Sequence, residues 1–317
     1  MLRTTVDIFL RARAEDADVY HFHDPELLPV GWALAHQGRG VIWDSHEDVT
    51  RQLLTKEWLP TILRRPTSRL AGLVESRSST RFAAIISAEP IGAPRFRHPR
   101  VQVIQNWPRL AEFTSPGLAY DTRPPEVVYV GALTEICGAL GMVDAVNLLP
   151  GDLGARLRLA GTFGPPAPGD EVARRNSLGR VDVLGQLPRP AVKALLGRAR
   201  VGLVVLHPTP QFSDAQPVKL FEYMAAGVPF VASDLAVWRA LGGESAGLYV
   251  DPLDPTAVAD AIEWLLRHPA EAEEMGRQGR RRVESEFSWE REGRLLLGLY
   301  DEVLAVSIRD AEVGALP

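Results

Sequence analysis

The stretch DAQPVKLFEYMAAGVPFVASD, Asp214–Asp234, carries the pattern that decides the fold. Gln216–Ala226 has a helical period, Gly227 stands where a helix stops, and Pro229–Ala232 opens a run that is apolar on both faces. Upstream, VGLVVL at Val201–Leu206 is apolar throughout, as in a strand of a parallel sheet covered by helices. Strand, helix and strand in this order make a right-handed βαβ unit.

The same alternation runs through the chain. Strands are predicted at Val19–His23, Gly40–Asp44, Phe82–Ser87 and Val101–Gln105, then at Val127–Gly131, Leu157–Gly161, Val181–Leu184, Val201–Leu206, Pro229–Ala232 and Gly247–Val250. Helical periods fall at Thr5–Ala14, Glu26–His36, Gly138–Leu148, Pro190–Ala199, Gln216–Ala226 and Pro255–Arg267. The class is α/β. Asn106–Pro125 has four prolines and no period, so it reads as a linker. Three parts follow: residues 1–115, residues 116–287, and a C-terminal amphipathic helix within 288–317. That helix runs over Ser288–Ser307, with Ser288 as N-cap and Glu292 near the capping-box position, and is expected to pack back toward the first part. Two doubly wound domains facing a cleft would place any ligand at their strand ends.

Composition narrows the function. The 317 residues, 46% apolar and 24% charged, are enough for about two cores and too apolar for disorder. A net charge of −5 argues against nucleic acid as a partner. One cysteine, Cys137, excludes a disulfide framework and a zinc site built on several thiolates. No apolar run approaches a membrane span, so a cytoplasmic protein is expected, with peripheral contact at the inner membrane face as an option. Only Lys56, Lys193 and Lys219 among the 35 basic residues are lysines, which draws attention to Lys219.

Three stretches carry chemistry. In the first, Pro217 and Val218 open a helix whose free N–H groups attract anions, and Lys219 adds a full positive charge. Glu222 lies farther along the same helix, and Asp214 precedes it. An amphipathic helix showing Lys219 and Glu222 to solvent fits the same spacing. In the second, VYHFHDPELLP, His21 and His23 share one face of a strand, and the next strand delivers Asp44, His46 and Glu47. Such a set could bind zinc or iron, or could be satisfied by local hydrogen bonds. The third, VVYVGALTEICGALGMVDAV, ends a strand at Gly131 and starts a helix near Gly138, just after Cys137. A Walker loop is absent and no GxGxxG follows a strand, which weighs against NTP hydrolysis and dinucleotide chemistry.

These stretches together resemble retaining glycosyltransferases of the GT-B fold, in particular the bacterial members of family 4, over almost the whole row. KLFEYMAAG is nearly unaltered from that family's nucleotide-sugar signature, and Asp214 and Glu222 take the two places of its Glu-x7-Glu element. The resemblance implies transfer of a sugar from a nucleoside diphosphate sugar to an acceptor hydroxyl with retention of anomeric configuration. It assigns His23 and Asp214 to catalysis. Gly131, Cys137, Gly138, Pro217, Val218, Lys219 and Glu222 would bind the donor, and His46 and Glu47 would lie on the acceptor side. No metal or other cofactor is expected, and the acceptor would be a glycan, a lipid-linked molecule or a small molecule.

The chain departs from that family at Asp214, in place of Glu, at Ala132 and Cys137, where cations are expected, and at its opening units. Cys137 stands where relatives carry Arg or Lys, so the diphosphate would be under-neutralised and turnover low. Several βα units that open the family's first domain have no counterpart here, so that domain is expected to be N-terminally truncated. A catalytically weak nucleotide-sugar-binding relative acting as a partner subunit is the alternative. A metal-dependent hydrolase using His21, His23 and His46 is a third reading.

Overall fold

The computed structural model describes residues 2–46, 49–55, 59–113, 118–165, 167–209, 212 and 215–314. The chain folds into two compact units, one made of Met1–Asn106 with Arg291–Pro317, the other of Trp107–Glu290.

The first unit starts with α1 (Leu2–Glu15), then β1 (Val19–Phe22), α2 (Leu28–His36), β2 (Gly40–Ser45), α3 (Val49–Thr55), α4 (Thr61–Ser79), β3 (Ala84–Ser87) and β4 (Val101–Val103). Its four strands are parallel in the order β1-β2-β3-β4. Leu28, Val30, Leu34, Val41, Trp43, Phe82 and Ile85 form its core. Pro29 has no N–H to give the Pro25 carbonyl, so the α-helix expected from Glu26 starts only at Leu28, and a 3₁₀ turn at Pro25–Leu27 precedes α2.

The second unit holds β5 (Glu126–Val130), α5 (Ala139–Leu148), β6 (Arg156–Ala160), α6 (Gly169–Arg175), β7 (Val181–Gly185), α7 (Arg189–Leu196), β8 (Val201–Val204), α8 (Val218–Ala225), β9 (Phe230–Ser233), α9 (Ala236–Gly242), β10 (Gly247–Val250), α10 (Pro255–Arg267) and α11 (Pro269–Glu286). Its six parallel strands lie in the order β10-β9-β8-β5-β6-β7. The order reverses between β5 and β8, which makes their carboxyl ends the topological switch point. Asp254 caps α10 by accepting from the Thr256 N–H at 2.9 Å, with Pro255 in the first turn.

The proline-rich stretch after Asn106 is not a free linker. Trp107, Phe113 and Tyr120 are buried in the core of the second unit, and Trp107 packs against Phe221 and Phe287. The final helix, α12 (Trp289–Gly314), is longer than the period at Ser288–Ser307. Glu292 does not close a capping box. It is buried and accepts the Gln105 N–H at 2.9 Å, while Tyr300 reaches His21.

Candidate functional site

The end of β5 is built by glycines that other residues could not replace. Gly131 has φ +145°, and a Cβ on Gly161 would stand 1.8 Å from the Gly131 carbonyl oxygen. Gly138 caps α5 at φ +79°, and a Cβ there would stand 2.2 Å from the Val205 oxygen after β8. Backbone therefore meets backbone across the switch point. Strands β5 and β8 pair only at Val127↔Val201 and Val128↔Gly202. Beyond that they part, and the buried Tyr223 hydroxyl of α8 fills the gap. It accepts the Val130 N–H at 3.1 Å and donates to the Leu203 carbonyl at 3.3 Å. A tyrosine thus stands in for the missing ladder.

Lys219, one turn before Tyr223 on α8, lies at this gap. Its ammonium donates to the Tyr129 hydroxyl at 3.0 Å and stands 4.4 Å from the centre of that ring. A Cβ on Gly131 would come within 2.8 Å of the Nζ, so glycine makes the room the ammonium occupies. Burial pushes Lys219 down to about 8, against the opposing pull of Cys137 and Glu222. Burial likewise raises the Tyr129 hydroxyl, which donates to the Ala132 carbonyl at 2.9 Å. The lysine is held in an apolar setting and gains from any anion that approaches.

The start of α8 differs from the expected Gln216. Pro217 is the N-cap in an extended conformation and makes no side-chain cap bond, and the helix begins at Val218. The N–H groups of such a helix start are what an anion site requires. Glu222 is buried and ion-paired with Arg189 at 2.5 Å, and Arg189 also reaches Glu112 at 2.5 Å. Cys137 is buried at 8% exposure, with its N–H on the Thr134 hydroxyl at 3.3 Å. Asp214 lies outside the described residues.

The second constellation lies in the first unit. His21 on β1 and Asp44 on β2 share one face of the sheet, because His21 pairs with Ile42 and side chains alternate. His23 and His46 follow their strands on that same side. All three imidazoles converge on one carboxylate oxygen: Asp44 Oδ2 is 3.5 Å from His21 Nε2, 3.3 Å from His23 Nδ1 and 3.4 Å from His46 Nε2. His23 Nδ1 and His46 Nε2 are 2.9 Å apart, and Asn106 Nδ2 lies 3.2 Å from His46 Nδ1. Tyr300 Oη and His21 Nδ1 are 2.6 Å apart. Burial alone would raise the Asp44 carboxyl, but hydrogen bonds to His21 and His46 and their positive charge outweigh it and hold it at about 2. Glu47 lies outside the described residues.

The structure thus gathers Gly131, Cys137, Gly138, Lys219 and Glu222 around the β5–β8 end, and His23 with His46 around Asp44. Tyr129, Tyr223, Arg189 and Tyr300 complete these sites and were not singled out by sequence, while Asn106, in the VIQNWP stretch that resembles the end of the family's first domain, joins His46. Tyr129 reads as one more apolar residue of a buried strand, and Arg189 and Tyr300 belong to no motif.

Residues 124–268 match the model of the family described as glycosyl transferases group 1. The matched segment runs from just before β5 to the end of α10 and contains the whole switch point with Lys219 and Glu222. The D-rhamnosyltransferase WbpZ of Pseudomonas aeruginosa is 24% identical over 294 residues, 88% of this chain and 72% of its own length. Among solved structures, sucrose-phosphate synthase from Thermosynechococcus elongatus superposes with a TM-score of 0.72 at 24% identity, covering 94% of this chain and 77% of that one. Anabaena HepE in complex with UDP gives 0.72 at 14% identity, covering 94% and 81%. The fold is that of GT-B glycosyltransferases, with two Rossmann-like domains. No described helix is long and apolar enough to cross a membrane.

Proposed function

We propose that the chain transfers a sugar from a nucleoside diphosphate sugar to an acceptor hydroxyl, with retention at the anomeric carbon. The observation that carries this reading is the buried Lys219 ammonium, held by Tyr129 at the β5–β8 switch point in the first turn of α8, whose N-cap Pro217 makes no side-chain cap bond. A diphosphate there would meet backbone N–H groups, a helix dipole and one full positive charge.

Leaving of the diphosphate builds negative charge on its oxygens as the sugar becomes oxocarbenium-like. Groups already aimed at those oxygens stabilise that change without reorganising. Lys219 and the α8 start supply this, so the proposal assigns the diphosphate no metal. Glu222 is assigned to the ribose hydroxyls and Asp214 to the donor sugar. For Glu222 this means that the Arg189 pair must leave one carboxylate oxygen for the ribose. His23 is proposed as catalytic, with His46 and Glu47 on the acceptor side. The acceptor class is a glycan, a lipid-linked molecule or a small molecule, and membrane contact, if used, is peripheral. Cys137 adds no positive charge, so turnover is proposed to be low.

The test is to incubate the chain with UDP-, GDP-, ADP- and dTDP-sugars and acceptor mixtures, measuring nucleoside diphosphate release and the anomeric configuration of the product. Release from one nucleotide sugar, raised by an acceptor and giving a product with the donor's configuration, is expected. An inverted product would overturn retention. No release from any donor would overturn the activity.

A further inference from the structure

We propose that the first unit binds a divalent transition-metal ion of the zinc and ferrous class on His21 Nε2, His23 Nδ1 and Asp44. These ligand atoms all lie within 4.8 Å of one another. A tetrahedral zinc ion with bonds of about 2.0–2.1 Å sets its ligand atoms about 3.3–3.4 Å apart. The distances from Asp44 Oδ2 to His21 Nε2, 3.5 Å, and to His23 Nδ1, 3.3 Å, already match that spacing.

The pocket is built for a positive centre. His21 Nε2 faces Asp44 Oδ2 at 3.5 Å, a contact that a proton on the ring nitrogen holds in the free protein and that a metal ion would replace. Asp44 Oδ1 is buried and has no hydrogen-bond partner among the described residues, so the carboxylate keeps an oxygen to offer.

The groups behind the ligands are arranged as metal sites require. Tyr300 Oη engages His21 Nδ1 at 2.6 Å, which turns Nε2 toward Asp44. With Asn106 Nδ2 donating to His46 Nδ1 at 3.2 Å, neutral His46 carries its proton on Nε2. That N–H points at His23 Nδ1, 2.9 Å away, and at Asp44 Oδ2, 3.4 Å away. On metal binding, His23 gives its lone pair to the ion and His46 keeps its bond to the carboxylate. Three protein ligands leave a fourth position open. The His23 side chain is 57% exposed, so that position faces water and would take water or an oxygen of a small substrate.

The experiment titrates the full-length, chelator-treated chain with Zn²⁺ in competition with a chromophoric chelator, and with Co²⁺ followed by visible absorption. One zinc per chain, with a dissociation constant at or below about 1 μM, is expected, together with Co²⁺ bands of four- or five-coordinate geometry. Asp44→Asn should weaken zinc by about a hundredfold, and Tyr300→Phe, which keeps every ligand, by about ten- to a hundredfold. Failure of the wild type to bind one zinc, a Co²⁺ spectrum like that of the hydrated ion, or unchanged affinity in both variants would overturn the proposal. Should Asp44→Asn fail to fold, the wild-type cobalt spectrum and Tyr300→Phe still decide it. Sugar transfer shares His23 with this site, whereas the nucleotide is assigned to the other unit, so zinc binding and nucleotide binding, each measured alone, fail independently.

Discussion

The Lys219 ammonium donates to the Tyr129 hydroxyl at 3.0 Å while standing 4.4 Å from the centre of the same ring. One aromatic side chain therefore supplies the acceptor and the π face that hold a buried positive charge, with no carboxylate in contact among the described residues. Such an arrangement favours ligand binding over stability, because burial of the ammonium is only partly compensated. Lys219→Met should raise the melting temperature of the free protein by several degrees, as read by calorimetry. A clear fall would show that the lysine is structural.

The depressed Lys219 value fixes a pH dependence. The unfolded chain carries the proton up to the ordinary lysine value of 10.5, while the folded chain releases it at about 8. Between these values the unfolded state binds more protons, so this group adds stability as pH rises. Below pH 8 both states are protonated and the contribution is flat. The difference in unfolding free energy between wild type and Lys219→Met should therefore be constant up to about pH 8. It should then shift in favour of the wild type toward pH 10.5. Denaturant titrations at pH 7, 8.5 and 10 check the sign.

Tyr223→Phe removes one oxygen from the place where β5 and β8 part. The Val130 N–H and Leu203 carbonyl would lose their partner inside the core. A loss of about 1–3 kcal/mol is expected from leaving such groups unsatisfied, with the ring packing intact. Urea unfolding measures it, and a loss below about 0.5 kcal/mol would show that β5 and β8 do not depend on this bridge.

Gly161→Ala places a methyl 1.8 Å from the Gly131 oxygen, so the backbone itself must shift. Gly38 also has positive φ but meets nothing within 4 Å. Gly38→Ala should cost about 1 kcal/mol, from backbone strain alone. Gly161→Ala should cost clearly more and also weaken nucleotide binding, because Gly131 borders Lys219. Equal effects of the two substitutions would mean that the strand end is soft.

Much of this architecture was legible in the sequence. All ten strands among the described residues were, because parallel strands buried on both faces leave continuous apolar runs such as VGLVVL and EVVYVG. The helix carrying Lys219 was readable from KLFEYMAAG and its terminal glycine. The residues that finish the sites were not. Tyr129 and Tyr223 look like core aromatics until the sheet order puts their hydroxyls at the switch point. Tyr300 lies 279 residues from the histidine it orients. Asp44 was visible beside His46, but that three imidazoles meet on its one oxygen depends on the β1–β2 register. Burial of Trp107 and Phe113 was hidden because the prolines around them mimic a linker.

Cys137 offers a direct check on the donor site. Arginine at this position would add the cation that the diphosphate lacks, so Cys137→Arg should raise turnover. The thiol is only 8% exposed among core residues, so the larger side chain should also lower the melting temperature. Paired kinetic and melting measurements would show both effects. Unchanged or lower turnover in a folded variant would count against the position assigned to Cys137.

Whether Lys219 holds a diphosphate is decided by calorimetric titration of UDP, GDP, ADP and dTDP into the wild type and Lys219→Met. One nucleotide should bind the wild type with one site per chain, and Lys219→Met should weaken it by about ten- to a hundredfold, as expected for loss of one charged hydrogen bond. Binding of equal strength in the two proteins, or no binding of any nucleoside diphosphate to the folded wild type, would contradict that role of Lys219.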